Sequence, residues 1–170
     1  VDGDRISDDI LQAGVLRDPQ KNWILAASIE SDLSLTSSLK RLSENIEDLE
    51  TAVGDRWLSL ALCKQSKPTL IQSNEFPGLI GCEDSGHIVL PISFSQNKWG
   101  LVGDGAMTLI STILARSVLK SLDVNNKFTS GWKLRKSVKG VDRKLWDSKN
   151  ELSNQIHQLA EEWFNNYSNS

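Results

Sequence analysis

Apolar residues recur along this chain with two different periods, and the changes of period mark out its elements. Leu35, Leu39, Leu42, Ile46, Leu49 and Val53 are separated by 4, 3, 4, 3 and 4 positions. That spacing predicts an amphipathic helix from about Asp32 to Val53, with Asp32 or Ser31 as N-cap and Gly54 as its stop. Upstream, Ile10 to Leu16 and Asn22 to Glu30 read as short helices behind a frayed segment 1–9. The second would turn Trp23, Ile24 and Ala27 inward. After Gly54 the pattern becomes alternating. Trp57, Ser59, Ala61 and Cys63 interleave with Leu58, Leu60 and Leu62, as in a strand buried on both faces. Thr69–Gln72, Leu79–Cys82, His87–Phe94 and Trp99–Val102 read as further strands. Turn signals at Lys64–Pro68, Pro77-Gly78, Glu83–Gly86 and Gln96-Asn97 separate them. These links are too short for parallel crossovers, so an antiparallel meander is expected, with Pro91 at an edge or a bulge.

Asp104 is placed to cap a helix over Ala106–Leu122, whose wide apolar face should lie on the sheet. A polar connector follows. A last helix, Val141 to Phe164, carries Leu145, Leu152, Ile156, Leu159 and Trp163 at near-heptad spacing. The predicted fold class is α+β: an antiparallel meander of three to five strands packed by amphipathic helices, with N- and C-terminal helical extensions. The expected organisation is an N-terminal extension (1–31), a core (32–122), a basic connector (123–140) and a C-terminal helix (141–170).

Four stretches resemble a GAF domain, the small-molecule-sensing and dimerising module of the profilin-like α/β class. They are Val53-Gly54-Asp55-Arg56-Trp57-Leu58, the turn Glu83–Gly86 feeding His87–Ile92, Trp99-Gly100-Leu101-Val102, and the helix ending Leu109–Leu122. The resemblance covers about residues 35–122. It implies a helix running directly into a strand at Gly54, and a sheet backed by helices used for dimerisation. The interval from Ser73 to His87 is short for the segment that encloses a ligand in such domains.

Charge changes the picture of partners. The net charge of −3 conceals a polarity along the chain. Residues 1–55 hold twelve acids and five bases, whereas 127–144 hold seven bases and one acid. The basic segment, with Trp132, Lys133, Arg135, Lys136, Lys139, Arg143 and Lys144, fits either an acidic protein surface or single-stranded nucleic acid. Two cysteines, Cys63 and Cys82, form no disulfide framework and read as small buried hydrophobes in the cytoplasm or another reducing compartment, an organelle stroma included. No run of about 18 apolar residues suggests a membrane span. The first residues are polar and acidic, unlike a targeting peptide.

Chemistry-bearing patterns are sparse. Cys82, Asp84 and His87 are near in sequence, but a turn between thiol and imidazole secures neither activation of a nucleophile nor a zinc spacing. Gly100, Gly103 and Gly105 lead into a helix without the lysine of a phosphate loop. No catalytic residue, metal ligand or cofactor is therefore nominated. The expected function is non-enzymatic: an interaction, assembly or regulatory module that binds a like or unlike protein subunit. Leu42, Leu49, Trp146, Ile156 and Trp163 are its candidate contact residues. Nucleic-acid binding through 127–144 and small-molecule sensing are the alternatives.

Overall fold

The run Trp23–Ser28 is apolar through Ala27, and in the computed structural model it is a strand, β1, with every residue buried. The structure describes residues 2–65, 76–96, 98–121, 128–131, 139, 140, 142, 145 and 149–168. A strand sealed on both faces belongs in the middle of a sheet with cover on each side. β1 pairs in parallel with β2 (Ile46–Thr51) on one side and with β3 (Leu79–Cys82) on the other. β4 (Ile88–Ser95) runs antiparallel to β3, and β5 (Lys98–Gly103) antiparallel to β4. The order is β2-β1-β3-β4-β5.

The fold is α+β, and the sheet is mixed. The expected meander describes β3-β4-β5 alone. The parallel half exists because long stretches read as helix or strand are in fact crossovers. From β1 the chain reaches β2 through α2 (Leu33–Ser37) and a 3-10 turn at Leu39–Arg41, and it reaches the neighbourhood of β3 through α3 (Asp55–Gln65). The predicted helix over Asp32–Val53 is therefore three elements. Asp32 does cap, its carboxylate accepting from the Ser34 N–H at 2.9 Å. Helix ends early because the Ser43 hydroxyl takes the Asn45 N–H at 3.0 Å, an alternative to the helical ladder.

Three further assignments change. Residues 22–30 are not a helix, and residues 1–31 are not an extension, since they supply an interior strand of the sheet. Residues 57–63 are helical: Leu58 and Leu62, one turn apart, are fully buried, while Trp57, Leu60 and Cys63 face outward. Of the stretches resembling a GAF domain, Val53–Leu58 runs from strand into helix rather than the reverse. The expected strand Thr69–Gln72 and the residue Asn97 lie outside the described residues.

Side-chain alternation in β1 feeds two cores. Trp23, Leu25 and Ala27 join Leu11 and Val15 of α1 (Gly3–Arg17), with Leu35, Leu39, Ile46, Ile80, Cys82 and Phe128. Ile24 and Ala26 join Leu58, Leu62, Leu79 and Val89 on the α3 side. α1 begins earlier than its apolar pattern suggests, because Asp2 accepts the Arg5 N–H at 2.9 Å as N-cap, and Asp4, Ser7 and Asp8 are buried in its first turns. α4 (Gly105–Ser121) is capped by Asp104, which accepts the Met107 N–H at 2.7 Å. α4 lies beside α1 and across β4.

The chain divides into two compact units, Val1–Lys133 and Leu134–Ser170. In the second, α5 (Glu151–Ser168) starts where Asn150 accepts the Ser153 N–H at 2.9 Å. Leu25 makes no contact with solvent. Leu25→Ala should lower the unfolding free energy by about 3 kcal/mol in urea titrations, whereas Leu49→Ala, at a half-buried edge position, should cost about 1 kcal/mol.

Candidate functional site

The carboxyl ends of β1, β2 and β3 face the same way, so the helices that follow or flank them start at one edge of the sheet. That edge is where open α/β sheets hold ligands, between strands whose connections leave in opposite directions. Here it is acidic. Asp2, Asp32 and Asp104 cap α1, α2 and α4, and each carboxylate accepts a backbone N–H of its own first turn. Asp32 is tied further: its N–H donates to Asp4 Oδ2 at 2.8 Å, and its Oδ2 accepts the Gly131 N–H at 2.9 Å. Arg5 holds residues 128–131 at the same edge. Its guanidinium donates to the Phe128 carbonyl at 2.8 Å and to the Ser130 hydroxyl at 2.6 Å, and lies 4.1 Å from the centre of the Phe128 ring.

One group at this edge combines donor types. Glu83, buried, follows β3; His87, exposed, precedes β4; Asp55 opens α3. The turn between Glu83 and His87 closes with the Gly86 N–H donating to the Glu83 carbonyl at 3.0 Å, and Gly86 takes a φ of 101°, open to glycine at little cost. His87 Nδ1 lies 3.3 Å from Asp55 Oδ1 and 3.5 Å from Glu83 Oε2. Glu83 is held from behind: Oε1 accepts the Gly54 N–H, and Oε2 accepts the Ser85 hydroxyl at 3.2 Å. An open cleft of about 200 Å³ adjoins the group, lined by Asp55, His87, Gly103, Asp104, Gly105 and Thr108.

The sequence pairs His87 with Cys82 and Asp84; the structure separates them. Cys82 points into the core on the α1 side, 3.9 Å from the Ser31 hydroxyl, and burial pushes its thiol up to about 12, against weaker opposing hydrogen bonds from Ser7 and Ser31. Glu83, the next residue, points the other way by strand alternation. The only sequence signal for this group was the spacing of Glu83 and His87. Asp55 is distant in sequence and arrives through α3.

A second feature is apolar. On α4, Thr108 and Ala115 are buried, whereas Met107, Ile110, Ile113 and Leu114 are exposed, the last three by 52%, 56% and 59%. The expectation that this helix lays its wide face on the sheet is thus corrected. α1 occupies the neighbouring space, and Arg116 Nε donates to Asp9 Oδ2 at 2.9 Å, fixing α4 by its small-residue side. Near its start lies a largely apolar groove of about 540 Å³ bordered by Phe76, Ile92, Trp99 and Val102.

Of the contact residues expected from sequence, Leu42 packs beside the α1-side core and Leu49 beside the α3-side core. They sit on opposite faces of the sheet and share no seam, because the helix that would have aligned them does not form. Ile156 and Trp163 are exposed on α5, and Lys139 is exposed. Trp132, Lys133, Arg135, Lys136, Arg143, Lys144 and Trp146 lie outside the described residues. Cys63, expected buried, is exposed on α3. No helix among the described residues is long and apolar enough to cross a membrane.

No family model and no curated protein sequence matches the chain. Among solved structures, N-acetylphosphoglucosamine mutase of Aspergillus fumigatus aligns at a TM-score of 0.36 and 15% identity, over 69% of this chain and 21% of that one. The chain therefore spans far less than two thirds of that protein's length, and a likeness of this size assigns no activity here.

Beneath the acidic edge, Asp8 of α1 forms a buried ion pair with Arg41. Burial raises the Asp8 carboxyl from 3.8 to about 6; Arg41 opposes the shift, and Asp9 adds to it. A carboxyl with a raised native pKa binds a proton more readily folded than unfolded. Its contribution to stability is complete below pH 4 and is lost as pH rises through about 6. Relative to Asp8→Asn, the native chain should lose up to about 3 kcal/mol of unfolding free energy across that window, measured by urea unfolding at successive pH values.

Proposed function

We propose that this chain is a non-enzymatic association module that pairs with a second copy of itself through the outer face of α4. The observation that carries the reading is the exposure of Met107, Ile110, Ile113 and Leu114 on one helix face. The stripe formed by Ala106, Met107, Ile110, Ile113, Leu114 and Ser117 contains no charged residue. Contiguous apolar surface of this kind marks an interaction site more often than scattered exposed residues do.

A second copy is the occupant that fits best. A two-fold interface must be complementary to itself, and an uncharged face meets its own copy without opposing like charges. Antiparallel pairing of α4 with α4 also sets the positive end of each helix dipole near the negative end of the other. Met107 also lines the largely apolar groove at the start of α4, which extends the patch toward the roughly 800 Å² per partner of a specific interface. α5 adds a stripe of the same chemistry in the second unit. Leu152, Ile156, Leu159 and Trp163 are exposed at spacings of 4, 3 and 4, the repeat of a paired helical seam.

Sedimentation velocity at tens of micromolar tests this. The native chain should sediment as a dimer. The double variant Ile110→Asp and Leu114→Asp should sediment as a monomer with an unchanged circular dichroism spectrum, because both positions are exposed. A monomeric native chain, or a folded variant that remains dimeric, overturns the role given to α4.

A further inference from the structure

We propose that Asp55, Glu83 and His87 bind a divalent transition-metal ion of the Zn²⁺, Co²⁺ or Mn²⁺ class at the carboxyl edge of the sheet. Their ligand atoms all lie within 4.8 Å of one another. Two ligands about 2.1 Å from a tetrahedral ion lie about 3.4 Å apart. The contacts from His87 Nδ1 to Asp55 Oδ1 and Glu83 Oε2, at 3.3 and 3.5 Å, have that length.

An ion accounts for this geometry better than a hydrogen-bonded histidine does. Nδ1 carries at most one proton, so it can give at most one linear hydrogen bond to the two carboxylate oxygens. Asp55 Oδ1 is shielded from solvent and meets no conventional hydrogen-bond donor; the group it faces is His87 Nδ1 at 3.3 Å. Glu83 is oriented by the Gly54 N–H and the Ser85 hydroxyl, as metal-bound carboxylates are oriented by the groups behind them.

The surroundings keep the space open. A Cβ at position 103 would stand 2.5 Å from Asp55 Oδ2, so glycine there makes room for the carboxylate. Three protein ligands leave further coordination positions, and the adjoining cleft can supply water or a ligand oxygen to them. His87 is 68% exposed at its side chain, which gives the ion a way in. One imidazole with two carboxylates suits borderline transition ions better than Ca²⁺ or Mg²⁺, which prefer oxygen alone.

The test is titration of the full chain with Co²⁺ and Zn²⁺ by calorimetry and visible absorption, in a Cys63→Ser background that removes the exposed thiol. One equivalent of Co²⁺ should bind with visible ligand-field bands, and Zn²⁺ should displace it. His87→Gln and Asp55→Asn should abolish both signals, and Gly103→Ala should weaken binding on the order of tenfold by displacing Asp55. Absence of stoichiometric binding, or binding unchanged in His87→Gln, overturns the proposal. Sedimentation of His87→Gln should match that of the native chain, so this site and the pairing through α4 fail or stand separately.

Discussion

Strand β1 must be hidden from water on both faces, since five of its six residues are apolar. A single covering layer would leave Ile24 and Ala26, or Leu25 and Ala27, exposed. α1 and α2 therefore cover one face and α3 the other, and the chain needs long crossovers to place them there. Once β1 is flanked in parallel by β2 and β3, the helix starts cluster at the carboxyl edge. The acidic character of that edge follows from what helix starts require. Asp2, Asp32 and Asp104 are each engaged by the N–H groups they cap.

Parts of this were legible in the sequence, and the failures have a common cause. The turn at Glu83–Gly86, strand β4, strand β5 and the Asp104-capped helix have local signals that tertiary context did not override. The fully apolar runs Trp23–Ala27 and Trp57–Cys63 have no such signal, because a short buried segment looks alike as helix or strand. Context assigned one to each. The spacing of Leu35, Leu39, Leu42, Ile46 and Leu49 mimicked a helix by joining helical turns to an edge strand. Glu47, Asp48 and Glu50 were the missed clue, since charge on β2 is how an edge strand avoids pairing with another sheet.

The polar group at the sheet edge was illegible for another reason. Neighbours in sequence, Cys82 and Glu83, are sent to opposite faces by strand alternation, so the thiol enters the core while the carboxylate meets His87. Asp55 joins them only because α3 crosses from β2 to cover β1 and β3. No local reading contains that step. The exposed face of α4 was legible as apolar, but its exposure was not, because only the neighbouring α1 decides which side of α4 is covered.

Helix dipoles set a condition on what this edge can hold. α3 and α4 both begin beside the cleft, and unsatisfied helix N-termini repel cations. Asp104 reduces that effect at α4 by accepting the Met107 N–H, and Asp55 stands in the first turn of α3. Glu83 adds a third carboxylate whose nearby N–H partner comes from Gly54, just before α3. The carboxylates thus outnumber the two partial positive ends, and the local field favours a cation despite the helix geometry. An anion would meet the reverse condition, with the dipoles for it and three carboxylates against it. The same helix start that borders this cleft also fixes the first turn of α4, so the position of Asp104 shapes both the polar edge and the apolar face that follows.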